Sequence, residues 1–173
     1  MRRSRALAMI MCGLLVVPEL SWALGSRKAM YIGGTLPGLP EKAEGKVDIT
    51  GTNEMVFVAE KGATRIAVPW ASIQDLEYGQ RVSRRWKTAI FLSVFALFSR
   101  GRKHNVTITY KDSAGVDQAA VFEFGKEIIR PTLAALKAKS GKPLACQDEE
   151  AVKQMGGTCD SVLPPEKDEE KKK

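Results

Sequence analysis

The sequence predicts a mainly β domain, α+β only in a minor sense: about six or seven short antiparallel strands followed by one C-terminal amphipathic helix. Three observations carry that expectation. His104–Lys111 (HNVTITYK) alternates cleanly, with Val106, Ile108 and Tyr110 on one side, as a half-buried strand does. Runs of similar length recur from Met30 to Phe124, separated by Gly, Pro, Asn and Asp turn signals. At Lys126–Ser140 the period changes: Ile129, Leu133 and Leu136, with Ile128 and Ala134 beside them, recur at steps of three and four.

The chain opens with a segment that reads as a secretory leader. Arg2, Arg3 and Arg5 give a positive start, and Ala6–Val17 is apolar but too short to span a bilayer comfortably. Ser21-Trp22-Ala23 then offers a small-x-small cleavage site. Cys12 follows Met9-Ile10-Met11, a poor lipobox, which argues against a lipoprotein. The expected organisation is a leader over 1–23, a lead-in over 24–29, one domain over 30–142 and a charged, disordered tail over 143–173. Export puts the protein in the periplasm or outside the cell, at the periphery of a membrane.

Within the domain, Met30–Thr35 (MYIGGT) predicts a first strand, with Gly33-Gly34 marking a bulge or a close backbone approach. Nothing there makes a phosphate loop, since no GxxxxGK[ST] follows. Pro37, Gly38 and Pro40 mark a loop, and Lys46–Thr52 alternates with Val47 and Ile49 inward. Thr52-Asn53 turns the chain into Glu54–Glu60, and Lys61-Gly62 turns it again into Thr64–Pro69, where Ile66 and Val68 point inward. Pro69 limits hydrogen bonding along that strand. A bend at Trp70–Ser72 leads to a strand from Ile73. Asp112–Gly115 is a hairpin turn between His104–Lys111 and Asp117–Phe124. In the helix Pro131 sits close to the start, where a missing N–H costs least, and Gly141 with Pro143 stops it.

Between Gly79 and His104 the pattern breaks. Trp86–Phe98 (WKTAIFLSVFALF) is an apolar insert, and within Ala89–Phe98 only Ser93 is not apolar. Arg81, Arg84, Arg85 and Lys87 precede or open it, Arg100, Arg102 and Lys103 follow it, and no acid interrupts the stretch. Thirteen residues reach about 20 Å as a helix, short of a hydrocarbon core of roughly 30 Å, so a spanning helix is not expected. An apolar plug with a basic collar suits a surface that dips into one leaflet while its cations meet lipid phosphates. The candidate contact residues are Trp86, Ile90, Phe91, Leu92, Phe95, Leu97 and Phe98, with the seven collar cations. The same patch serves an envelope protein partner or a second copy of the chain. The plainer reading is a buried core segment whose flanking charges mark its return to water.

The chemistry of catalysis is thinly represented. His104 is the only histidine of the 173-residue chain, and its charged neighbours suit a role in surface polarity. Asp75 and Glu77 share a strand face, but a solvated face explains them better than acid–base work. No cofactor motif and no metal-ligand spacing appears, because two mature thiols and one distant histidine do not complete a tetrahedral set. The formal net charge of +7 is concentrated around the insert, yet no recognition helix or RNP pattern accompanies it, so nucleic acid is not the expected partner. Export permits a disulfide between Cys146 and Cys159, with two idle thiols as the alternative.

Strands followed by one amphipathic helix is the element order of a pleckstrin-homology-like barrel, and Met30–Lys142 resembles one. The chain also resembles bacterial pleckstrin-homology-like and GRAM-like domains, and exported proteins carrying strings such as Leu76–Trp86 (LEYGQRVSRRW) and Leu97–His104 (LFSRGRKH). The resemblance implies two nearly orthogonal antiparallel sheets closed at one end by the helix, and a binding platform instead of a catalyst. The insert at 86–98 departs from the shorter, more polar loops of that family and from a conventional phosphoinositide pocket.

Overall fold

The computed structural model describes residues 26–62, 64–80 and 104–164. It is mainly β, as the alternation predicts. Among the described residues nine strands form one sheet: β1 (Ser26–Gly34), β2 (Ala43–Asp48), β3 (Glu54–Ala59), β4 (Arg65–Pro69), β5 (Ile73–Gly79), β6 (His104–Lys111), β7 (Asp117–Phe124), β8 (Leu144–Cys146) and β9 (Ser161–Val162). Helices α1 (Lys126–Ser140) and α2 (Glu149–Met155) flank β8, and a 3-10 turn at Trp70–Ser72 joins β4 to β5. The sheet is open, in the order β4-β3-β2-β1-β7-β6-β5-β8-β9. All neighbours up to β5 run antiparallel, whereas β5–β8 and β8–β9 are parallel.

The bounds of β6, β7 and α1 agree with the sequence reading, because alternation or helical period fills each element and Gly or Asp closes it. β1 begins earlier than expected. Ser26–Ala29 lacks an apolar pattern but is held by pairing, from Ser26 opposite Asp48 to Tyr31 opposite Ala43. The bulge expected at the glycines lies between Tyr31 and Gly33. Gly34 has φ +138°, and a Cβ there would fall on the Ala119 carbonyl. β2 stops at Asp48 instead of Thr52, because Asp48 Oδ1 accepts from Thr50 N (2.8 Å) and Thr50 Oγ1 (2.6 Å), which turns the backbone out of the ladder. Pro69 closes β4, one end strand of the sheet, where among the described residues no further neighbour needs its missing N–H.

One cluster unites the sheet and the helices. Tyr31, Phe57, Phe122 and Phe124 form its aromatic centre, with ring centroids 5.3 Å apart for Phe57–Phe122 and 5.8 Å for Tyr31–Phe122. Each such ring contributes roughly 1.5–3 kcal/mol by leaving water. α1 buries Ile129, Leu133 and Leu136 against the cluster together with Thr132, whose hydroxyl donates to the Ile128 carbonyl. Two details differ from expectation. Ala134 is exposed, off the buried stripe, and Pro131 is the sixth residue of the helix, past the first turn. It therefore omits one ladder bond while the helix continues. Near its end, Lys139 donates to the Thr50 and Gly51 carbonyls at 2.9 Å and lies 5.7 Å over the Trp70 ring, whose Nε1 donates to Gly51 O.

The expected disordered tail is corrected over Leu144–Val162. Leu144, Cys146, Ala151 and Met155 bury themselves in the common core, and Cys146 is bonded to Cys159. Of the two thiol alternatives, the disulfide is the one present. A closed loop of this length is worth about 3 kcal/mol in the chain-entropy account. Asp148 caps α2 by accepting from Ala151 N at 2.7 Å, and Gly156 (φ +59°) ends it. Among the described residues, no helix is long and apolar enough to cross a membrane.

Candidate functional site

The apolar insert and its collar, from Arg81 to Lys103, lie outside the described residues, so the contact residues named from sequence carry no structural description. What is described is the place where that stretch leaves the sheet and re-enters it. Gly79 at the end of β5 stands opposite Asn105 at the start of β6, and Tyr78 stands opposite Val106. The chain therefore leaves β5 and re-enters β6 at neighbouring positions of one antiparallel pair.

This root is tightly built. Tyr78 is fully buried and stacks on His104, with planes 15° apart and centroids 6.0 Å apart. The Tyr78 hydroxyl lies 2.7 Å from His104 Nδ1 and donates to Gln154 Oε1 at 3.0 Å. A phenol has one proton, so with it committed to Gln154 the fitting tautomer has Nδ1–H donating to the phenol oxygen. Gln154 belongs to α2, and its carbonyl accepts from Arg130 of α1 through Nε at 2.7 Å and through Nη2. Gln147 N donates to the Tyr78 carbonyl at 2.9 Å, and its side chain fills the space where a Cβ on Gly79 would stand. Asn105 is buried, and its Nδ2 reaches the Gln80 carbonyl at 3.4 Å.

The electrostatics follow from enclosure. Burial pushes the Tyr78 phenol up to about 12, with the Asp148 carboxylate adding to the shift and Arg130 opposing it. Burial also lowers the His104 imidazole below its ordinary value, helped by Lys126 and opposed by Glu123. His104 is thus a half-buried pin for β5, β6 and α2, which corrects its reading as surface polarity. Asp75 and Glu77 share a face as expected, opposite Thr109 and Thr107, but only Asp75 is exposed. Glu77 keeps 8% of its surface, so that face is not the solvated one the sequence suggested.

Tyr78, Gln147 and Gln154 were not found by sequence reasoning. Tyr78 and Gln154 are 76 residues apart, and neither belongs to a motif. A signal for α2 does exist: Asp148 followed by two glutamates, with Gly156-Gly157 behind, is a capped helix in miniature. Elsewhere a groove of about 250 Å³ runs over β2, β1 and β7, lined by Lys28, Met30, Glu44, Glu60 and Glu123 above Gly45. It gathers ordinary surface charges. Among the described residues, no three His, Cys, Asp or Glu side chains cluster as a metal ion would require. No protein-family model matches the chain, and no curated protein matches it.

Proposed function

We propose that the chain is an exported, non-enzymatic binding module of pleckstrin-homology-like build. It attaches peripherally to an anionic membrane surface through Trp86–Phe98 and the collar Arg81, Arg84, Arg85, Lys87, Arg100, Arg102 and Lys103. The strand order β4-β3-β2-β1-β7-β6-β5 supports the barrel reading, because it is the order a curled meander takes when its two ends approach. So does α1, whose buried stripe joins the cluster shared by both halves of the sheet. The observation that carries the functional reading is the register at Gly79 and Asn105, where the chain leaves β5 and re-enters β6 at a braced root.

The energetics suit reversible attachment. Each Lys or Arg near an anionic leaflet contributes about 1 kcal/mol, and each ring entering the acyl region roughly 1.5–3 kcal/mol. Neither source alone holds the protein firmly, and together they exceed the few kcal/mol that peripheral binding needs.

The test is co-sedimentation of the chain from Leu24 with phosphatidylserine-containing vesicles. Phe91→Asp with Phe95→Asp is expected to weaken binding on the order of 100-fold or more while circular dichroism and Tm stay those of the parent. A folded double mutant that still pellets with vesicles overturns the reading. A parent that dimerises in buffer and ignores lipid transfers the same patch to a protein-interaction or oligomerisation role in the cell envelope.

A further inference from the structure

β8, α2 and β9 make a strap that is closed on itself. Cys146 and Cys159 both lie within it, so their bond fastens the strap to itself and not to the rest of the sheet. Asp160 N donates to the Leu144 carbonyl, Leu144 N donates to Asp160 Oδ2, and Leu163 N donates to the Cys146 carbonyl, each at 2.8 Å. β8 pairs with β9, and Asp148 caps α2 from inside the same loop. The strap therefore carries with it the bonds that keep its own shape.

Apart from the chain itself, its hold on the body is non-covalent. Leu76, Glu77 and Tyr78 of β5 stand opposite Leu144, Ala145 and Cys146, and Gln147 N donates to the Tyr78 carbonyl. Around that line the seat is specific. The Tyr78 hydroxyl donates to Gln154 Oε1, Arg130 donates to the Gln154 carbonyl, and Lys137 Nζ lies 2.5 Å from Asp160 Oδ1. The joint is Gly141-Lys142-Pro143, between the end of α1 and the start of β8. Gly141 is exposed, has φ +66°, and faces open space where a Cβ would stand. Its N–H donates to the Lys137 carbonyl at 3.0 Å, a four-residue step that a helical Gly141 also makes. Glycine passes from positive to negative φ without steric cost, so the joint can re-aim everything from Lys142 onward while that bond survives.

We propose that β5 and the seat around it accept the strap of a second copy of the chain, in a reciprocal exchange about Gly141. The chemistry of the seat chooses this partner. A foreign strand extends the ladder on β5 and does no more. Arg130, Tyr78 and Lys137 call for a helix-end carbonyl, an amide oxygen and a carboxylate at fixed offsets from β8, and a second strap brings all three. Every contact across the seat is remade in the pair, and because each copy gives and takes one strap the pair closes with two-fold symmetry. Concentration and the conformation of Gly141 then set the balance between closed and exchanged forms.

The test uses the full chain and two charge reversals. Lys137→Asp and Asp160→Lys each set like charges across the seat of their own chain, whereas in a mixed exchanged pair both seats again hold opposite charges. Native mass spectrometry of an equimolar mixture is expected to show the mixed pair several-fold above its statistical share. Pairs in statistical proportion, or monomers alone at millimolar chain, overturn the proposal. Gly141→Ala strains the closed form at φ +66° and is expected to raise the dimerisation constant on the order of ten-fold. An unchanged constant overturns the exchange, and this variant decides if Asp160→Lys fails to fold, since Leu144 N also relies on that carboxylate. The dimer is expected to persist when Phe91 and Phe95 are both replaced by Asp. One that disappears belongs to the apolar patch, and the exchange falls.

Discussion

From β1 to β7 each strand turns apolar side chains onto one core and pairs antiparallel with a long neighbour, whereas β8 adds only three register pairs to β5, and β9 two to β8. The first region is stabilised by burial spread over many residues. The second, a strap of two very short strands and a short helix, depends on a few strong points: the Cys146–Cys159 bond, Leu144 N donating to Asp160 Oδ2 at 2.8 Å, Lys137 paired with Asp160, and the Tyr78–Gln154 hydrogen bond. The strap is separable in a way the meander is not. Losing one anchor is expected to loosen the strap alone, while losing one central ring weakens everything.

The largest effect tests the meander. Phe122→Ala removes the ring that touches Tyr31, Phe57 and Phe124 and is expected to cost about 3–5 kcal/mol in urea unfolding. A loss well under that range makes the aromatic centre less decisive than the comparison holds. Next comes the strap. Cys159→Ser is expected to cost about 3 kcal/mol. Hydrogen exchange should quicken across 144–162 while β6 and β7 keep their protection. Uniform loss of protection merges the two regions into one cooperative unit.

The smallest effect lies at the junction. His104 has its folded-state pKa below the unfolded value, so the unfolded chain binds the proton more readily. Stability therefore falls as pH drops through the ordinary histidine value near 6.5, and it levels off below the lowered folded value. Urea midpoints at pH 7.5 and pH 5 read this slope, and His104→Gln is expected to flatten it. An unchanged slope removes His104 as its source; Asp112 and Asp160, whose hydrogen bonds hold them below the usual range, lose their contribution only at still lower pH.

The same contrast explains what the sequence reveals. β6, β7 and α1 are legible because each carries its period within its own residues. The first residues of β1 are not, since Ser26–Ala29 has no pattern and becomes a strand only by lying against β2. The strap's apolar runs are too short to carry a period: Leu144–Cys146 is three residues and Ala151 and Met155 make a single i, i+4 step, so they become core only when packed in the common cluster. Of the site, the insert and its basic collar stand out in the sequence, while its root does not. Tyr78 and His104 look like the ends of two ordinary strands, and the residue that ties them to α2 lies far along the chain.

Pro69 has a consequence for how these molecules behave in company. An unclosed sheet presents two rims, and a bare rim invites another chain to add a strand, and then another. Among the described residues, one rim is the five-residue strand that begins at the charged Arg65 and ends on a residue with no N–H to offer, and the other ends in Ser161–Val162. Neither gives a newcomer the length of ladder that growth into a fibre needs, so the fold is suited to staying as discrete particles under crowding.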